Sequence, residues 1–197
     1  MTYELRSVCV YCGSSPGTNP AYAEMATALG HELVRRGLRL VYGGGSVGLM
    51  GILADAVLGA GGEVTGIIPK FLNDREIQHT AVTDLRVVAT MHERKALMAE
   101  ETDAFIAMPG GIGTFEELFE VLTWTQLGVH DKPVGLLDVA DFWAPLRALL
   151  QRTVDDEFLK PDAAAALKYG TTPAAVLDAF ADFSPPDRNK WFRLDES

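Results

Sequence analysis

Residues 104–118 have the sequence Ala-Phe-Ile-Ala-Met-Pro-Gly-Gly-Ile-Gly-Thr-Phe-Glu-Glu-Leu, and no other segment is as informative about the fold class. An apolar run of strand length passes through a glycine-rich turn into a segment whose apolar positions recur at the three- and four-residue spacing of a helix. A strand, a glycine turn and a helix in this order are typical of parallel sheets, which bind ligands at the carboxyl ends of their strands. The stretch therefore predicts an α/β protein with its site at that sheet edge.

The same alternation of short apolar runs and longer helical segments extends along most of the chain. Strands are predicted near residues 6–11, 38–42, 63–68, 84–89, 104–108 and 133–138. Helices are predicted near residues 20–36, 47–60, 91–102, 114–127, 142–153 and 172–182. We expect a doubly wound parallel sheet with helices on both faces, in a single domain over residues 1–183, and an irregular tail over residues 184–197.

Composition excludes several classes of partner. The 197 residues include 17 Lys plus Arg and 27 Asp plus Glu, which gives a formal net charge of −10. A surface that follows a nucleic acid backbone needs a surplus of basic residues, so neither nucleic acid nor an anionic membrane is expected. The sequence has no apolar run of membrane-spanning length and no signal-peptide pattern, and we expect a cytoplasmic protein.

Cys9 and Cys12 have the Cys-x-x-Cys spacing of redox motifs. Thioredoxin-type pairs lie at a helix N-terminus, whereas Cys9 lies inside an apolar run, so buried strand cysteines are the favoured interpretation. The two cysteines and four scattered histidines match no zinc-binding pattern, and no metal is expected.

Three glycine-bearing loops, at residues 13–17, 43–48 and 109–114, each follow a predicted strand and so fall at one edge of the sheet. Backbone N–H groups in such turns, together with the positive end of the following helix, bind phosphate. Three loops at one edge favour a nucleotide-sized ligand. The expected contacts from these loops are Ser14, Gly43, Gly44, Gly45, Gly110, Gly111, Ile112, Gly113 and Thr114.

The second of these loops also matches the dinucleotide fingerprint, because Gly43, Gly45 and Gly48 have its spacing and Glu63 follows 20 residues after Gly43. The acidic residue of that fingerprint should end the next strand beside the ligand, whereas Glu63 precedes its strand. A nicotinamide-dependent oxidoreductase is therefore not favoured.

Two pairs of residues have the spacing of a capping box, Thr90 with Glu93 and Thr114 with Glu117. Arg94 and Lys95 follow the first pair near the positive end of a helix, where cations are mildly unfavourable. They are either exposed surface charges or cations placed for a phosphate or a substrate hydroxyl.

Glu117 likewise either caps its helix or serves the ligand beside the glycine loop. Adjacent helix residues point about 100° apart, so Glu116 and Glu117 are not expected to face the ligand equally.

Four segments together resemble the "lonely guy" family of cytokinin riboside 5′-monophosphate phosphoribohydrolases: residues 43–51, 91–95, 109–117 and 123–133. The resemblance covers about residues 8–156. It implies a Rossmann-like fold, a homodimer or larger assembly, and no metal or redox cofactor. It also implies hydrolysis of the N-glycosidic bond of an N6-substituted adenosine 5′-monophosphate, releasing the free base and ribose 5-phosphate. Many relatives have an older label of lysine decarboxylase, but this sequence has no evident pyridoxal-phosphate lysine signature.

The resemblance also implies roles for individual residues. Arg94 and Glu117 match the catalytic arginine and glutamate. The expected substrate contacts outside the glycine loops are Glu76, Met91, Lys95 and Glu116. An alternative class is a non-catalytic carrier or sensor of nucleotides or of the molybdenum cofactor, which would need the loops but not Arg94 and Glu117 together.

Overall fold

Seven parallel strands form one sheet in a computed structural model that describes residues 5–73 and 78–187. The strands are β1 (Ser7–Tyr11), β2 (Arg39–Tyr42), β3 (Val64–Pro69), β4 (Asp84–Val88), β5 (Ala104–Ala107), β6 (Val134–Leu137) and β7 (Leu167–Gly170). Their order across the sheet is β4-β3-β2-β1-β5-β6-β7. The helices are α1 (Pro20–Arg35), α2 (Gly48–Gly59), α3 (Lys70–Asn73), α4 (Met91–Glu100), α5 (Ile112–Leu127), α6 (Ala144–Asp155), α7 (Pro161–Ala166) and α8 (Pro173–Asp178), with a 3₁₀ turn at Ala179–Asp182.

Helices cover both faces of the sheet, as predicted. One core cluster includes side chains of α1, α2 and α8, among them Leu29, Leu53 and Val176. A second cluster includes α4 and α5, among them Met98 and Leu118. Between them lie the buried strands β1, β2, β3, β5 and β6, and burial on both faces explains why these are largely continuous apolar runs without alternation.

The strand order reverses direction beside β1, which pairs with β2 on one side and with β5 on the other. In open α/β sheets the crevice at such a reversal is the usual ligand site. The loops after β1, β2 and β5 are the three glycine loops, so the fold brings them together. Glu63 directly precedes β3, at the opposite edge, which confirms its expected placement and argues against a dinucleotide site.

The sequence missed three elements. Within residues 5–73 and 78–187, β7 pairs with β6 alone, and it contains Lys168, Tyr169 and Gly170, so it lacks the apolar run by which the other strands were found. The helices α3 and α7 have four and six residues, too short to show helical periodicity. Within the described residues, no helix has the length and apolar character needed to span a lipid bilayer.

Candidate active site

A cavity of about 380 Å³ opens at the carboxyl edge of the sheet, within the size range of small-molecule sites. Residues from the loops after β1, β2 and β5 line it together with side chains of α4 and α5. The sequence-predicted residues in its lining are Ser14, Gly43, Gly45, Arg94, Gly111, Ile112, Gly113, Thr114 and Glu117. Cys12, Val47, Met50, Ile68 and Leu72 complete the lining; these were not predicted, because dispersed apolar residues give no signal that separates a cavity wall from the core.

The glycine turn after β2 allows a side chain to approach the backbone closely. A Cβ at Gly43 would lie 1.9 Å from Nη2 of Arg94, so any larger residue would displace the guanidinium. The next residue, Gly44, does not line the cavity; its carbonyl accepts a hydrogen bond from the backbone N–H of His79 at 2.8 Å. His79, whose Nε2 lies 2.9 Å from Oδ1 of Asp55, therefore helps to fix this turn, a role that its isolated position in the sequence did not indicate.

Arg94 is buried, which excludes the interpretation as an exposed surface charge. Its Nε donates to the carbonyl of Ile67 at 3.1 Å, and its Nη2 donates to the carbonyl of Gly43 at 3.4 Å. The same Nη2 lies 3.8 Å from Oε1 of Glu117. A guanidinium has five N–H donors, so donors remain for oxygen atoms of a ligand in the cavity.

Glu117 faces the cavity with a side chain that is 12% exposed. Burial raises the pKa of its carboxyl to about 7, although the positive charge of Arg94 acts in the opposite direction. A carboxyl with a pKa near neutrality can exchange a proton during a reaction at that pH. The site therefore holds a candidate acid or base beside a fixed cation.

The structure excludes the capping alternative for Thr114 and Glu117. Helix α5 begins at Ile112, its N-cap is Gly111, and among the described residues no side chain caps it. Thr114 and Glu117 therefore lie inside the helix, and Glu117 is free of any capping role. The other predicted box is confirmed, since Thr90 and Glu93 make both of its reciprocal hydrogen bonds.

The uncapped end of α5 points to an anion site. Its first turn contains no acidic residue, and no side chain in the described part of the chain accepts a hydrogen bond from its first N–H groups. Such N–H groups and the helix dipole favour phosphate. Close packing shapes the turn that leads into the helix: a Cβ at Gly110 would lie 2.1 Å from Oγ1 of Thr114.

A second cavity of about 290 Å³ adjoins the first and shares Ser14 and Gly111 with it. Gly110 lies in this second cavity, whose apolar wall includes Tyr22, Leu49 and Phe142. The rings of Tyr22 and Phe142 meet edge to face at 6.1 Å between centroids.

Three further predicted contacts do not line the cavity of about 380 Å³: Met91, Lys95 and Glu116. Lys95 is buried and forms ion pairs with Glu116 and, at 3.0 Å, with Glu120. The sulfur of Met91 lies 3.8 Å from Nη1 of Arg94. Glu76 lies outside the described residues.

Neither cysteine has the environment of a redox pair. Cys9 on β1 and Cys12 directly after it are free, and burial raises the pKa of both thiols well above their ordinary value. Among the residues that the structure describes, no cluster of three or more His, Cys, Asp or Glu side chains has the arrangement of a metal site.

The raised pKa of Glu117 predicts a pH-dependent stability. The folded state holds this proton more tightly than the unfolded chain between the ordinary glutamate pKa of 4.5 and about 7. The free energy of unfolding should therefore fall as pH rises through that window, relative to Glu117→Gln, by on the order of 3 kcal/mol at most. Urea unfolding of both proteins from pH 4.5 to 8 measures this difference. If the free energies of unfolding of wild type and Glu117→Gln changed in parallel with pH, burial would not perturb the Glu117 carboxyl. The control is Glu63→Gln, which replaces an exposed carboxylate at the other edge of the sheet, and its free energy of unfolding should change with pH as that of wild type does.

Comparisons with known proteins place the chain among a defined set of relatives. A family model described as "Possible lysine decarboxylase" matches residues 50–180. A probable cytokinin riboside 5′-monophosphate phosphoribohydrolase of Oryza sativa subsp. japonica is 49% identical over 180 residues, which are 91% of this chain and 72% of that protein. Two cytokinin riboside 5′-monophosphate phosphoribohydrolases of Arabidopsis thaliana are also similar. One is 47% identical over 92% of this chain and 85% of its own length, and the other is 55% identical over 79% of this chain and 68% of its own length.

Solved structures support the fold. The molybdenum cofactor binding protein of Rippkaea orientalis superposes with a TM-score of 0.68 at 21% identity, covering 91% of this chain and 97% of that one. The molybdenum cofactor carrier protein of Chlamydomonas reinhardtii gives a TM-score of 0.66 at 21% identity, covering 89% and 96%. At this identity the likeness extends to the fold alone.

Proposed function

Because the chain belongs to the family of cytokinin riboside 5′-monophosphate phosphoribohydrolases, we propose that it hydrolyses the N-glycosidic bond of N6-substituted adenosine 5′-monophosphates. The products are the free base and ribose 5-phosphate. The observation that carries this proposal is the buried Glu117 carboxyl, 3.8 Å from Arg94, in a cavity bordered by an uncapped helix N-terminus. A protein that only bound nucleotides would need the loops but would have no use for a carboxyl with a pKa of about 7.

The 5′-phosphate binds at the N-terminus of α5, in contact with the backbone of residues 110–114. Its negative charge is stabilised there by unpaired N–H groups and by the helix dipole. Ser14, which borders both cavities, lines the site together with Gly43 and Gly45. This placement puts the ribose between the phosphate and Glu117.

Cleavage of the bond between C1′ and N9 builds positive charge on the sugar, as in glycoside hydrolysis. The Glu117 carboxylate stabilises that charge and takes a proton from the water whose oxygen bonds to C1′. The base leaves with the electron pair of the C1′–N9 bond and takes up the proton that Glu117 accepted, so that one water is consumed and Glu117 returns to its ionised form. Arg94 donates hydrogen bonds to ribose hydroxyls and keeps Glu117 in place. Fixing the phosphate supplies part of the rate, because it holds C1′ in the reacting geometry.

Chromatography of isopentenyladenosine monophosphate, AMP and isopentenyladenosine, each incubated with the protein, tests this function. We expect base release from the monophosphates, and at least about 10²-fold lower kcat/KM for the nucleoside, because remote binding energy is lost with the phosphate. Binding of AMP without base release would favour the carrier or sensor class instead. Equal kcat/KM values for the nucleoside and the nucleotide would contradict the proposed binding of the phosphate at the N-terminus of α5.

We also propose that the protein works as a homodimer without a cofactor. Large apolar side chains are exposed on the described surface, including Ile112, Leu127 and Phe158, and burial of such residues is typical of subunit contacts. Sedimentation velocity distinguishes a dimer from the 21.3 kDa monomer. The cytoplasmic location stays a prediction.

A further inference from the structure

Lys95 lies next to the candidate catalytic pair but faces away from the cavity. Its buried ammonium group forms ion pairs with Glu116 and Glu120 on α5, the second at 3.0 Å between Nζ and Oε1. These two carboxylates stand one residue before and three residues after Glu117 in the same helix. Lys95 is therefore bound to both acidic neighbours of the residue to which the chemistry is assigned.

Two ion-pair contacts thus run side by side between α4 and α5. Arg94 approaches Glu117 on the cavity side, while Lys95 contacts Glu116 on the other side. Consecutive helix residues point about 100° apart, so the two cations cannot exchange roles without rotation of a helix. Each cation of α4 therefore has its own carboxylate partners on α5.

We propose that Lys95 is a positioning residue, which neutralises the carboxylates of Glu116 and Glu120 beside Glu117, so that Glu117 can carry the negative charge needed for hydrolysis. This inference rests on the proposed function of Glu117. It replaces the expected role of Lys95 as a substrate contact.

The charges around Glu117 support this role. Two cations on α4 face three carboxylates on α5. Burial has the largest effect on the pKa of Glu117 and raises it. The charges of Glu116 and Glu120 raise this pKa further, whereas the charge of Lys95 lowers it. The titratable groups near Glu117 on β1 and directly after it are Cys9, Tyr11 and Cys12. Burial raises the pKa of all three, so they are neutral and cannot replace a lost cation. Without Lys95, one cation would face three carboxylates.

Lys95→Met should lower kcat/KM at pH 7 about fivefold, as expected if the pKa of Glu117 rises by about one unit and its ionised fraction falls from about half to about one tenth. KM for the monophosphate should stay nearly constant, and the loss should diminish toward pH 9. Lys95→Arg should keep most of the activity. The matched control is Lys132→Met, which removes another partly buried lysine, one that donates to the carbonyl of Ala99 at 2.6 Å.

A triple variant separates positioning from substrate binding. Replacing Glu116 and Glu120 with glutamine in the Lys95→Met background removes the charges that Lys95 neutralises, so activity at pH 7 should return to within about twofold of wild type. In the triple variant neither position 116 nor position 120 has a carboxylate that lacks its cation. The triple variant therefore allows activity to be measured even if Lys95→Met alone does not fold. A rise in KM that persists at every pH and is not rescued would show that Lys95 contacts the substrate, and would overturn the proposal.

A second measurement does not depend on activity. The pH window in which wild type loses stability relative to Glu117→Gln should move upward when both proteins also have Lys95→Met. An unmoved window would overturn the role of Lys95 even in an active enzyme. A shifted window in a protein that releases no base would instead retain the role of Lys95 and reject the proposed hydrolysis.

Discussion

Glu117→Gln should lower the rate of base release from isopentenyladenosine monophosphate by about 10³-fold or more, because the amide can neither accept the proton of water nor oppose the charge on the ribose. The free energy of unfolding at pH 7 should not fall. Burial already disfavours the ionised form of this carboxyl, as its pKa of about 7 indicates, so a neutral side chain of the same shape costs the fold nothing. Steady-state kinetics and urea unfolding of the same preparation measure the two effects.

Glu63→Gln provides the matched control for Glu117→Gln. It makes the same chemical change at an exposed position before β3, at the opposite edge of the sheet, and should leave both turnover and stability near wild type. Retention of turnover in Glu117→Gln would reject the assigned chemistry. A lower melting temperature with intact turnover would mean that Glu117 serves the fold.

The two capping-box patterns show what local sequence can predict. Thr90 and Glu93 form the box, whereas Thr114 and Glu117, at the same spacing, do not. The difference arises upstream, because α5 begins at Ile112 with Gly111 as its N-cap. Residue spacing identifies compatible pairs, but the turn that joins strand to helix decides where the helix begins.

The environment of the adjacent cations Arg94 and Lys95 was also beyond the reach of sequence. Their position at a helix N-terminus indicated that something must hold them, and both are buried with acceptors. Which acceptors they contact depends on how α4 and α5 rotate against each other, and that is set by tertiary packing. The sequence motif therefore predicted that both cations are held in place. Only the fold shows that Arg94 lines the cavity and that Lys95 does not.

The sheet edge itself was predictable because it follows from strand order and chain direction. Glycine loops after three parallel strands must lie at the same edge, and they border the two adjoining cavities. The apolar wall, including Met50 and Ile68, was not predictable, since its residues come from separate elements and have the same composition as the core.

Arg94→Ala should lower kcat/KM at pH 7 by about 10²-fold, because it removes both the donors that orient the ribose and the cation nearest to Glu117. Its charge lowers the pKa of Glu117, so its loss should raise that pKa above about 7 and shift the kcat/KM profile to higher pH. Arg94→Lys keeps the charge but not the fork that reaches the carbonyls of Ile67 and Gly43, and we expect an intermediate rate.

Stability distinguishes this role of Arg94 from simple packing. A higher pKa of Glu117 in the folded state makes Arg94→Ala lose stability over a wider range of rising pH than wild type. The Arg94→Ala/Glu117→Gln double variant lacks the Glu117 carboxyl, so the part of the loss that depends on its titration should vanish while the packing cost persists. If Arg94→Ala lost the same free energy of unfolding at every pH with or without Glu117, the guanidinium would be a structural group, and its 3.8 Å approach to the carboxylate would carry no catalytic meaning.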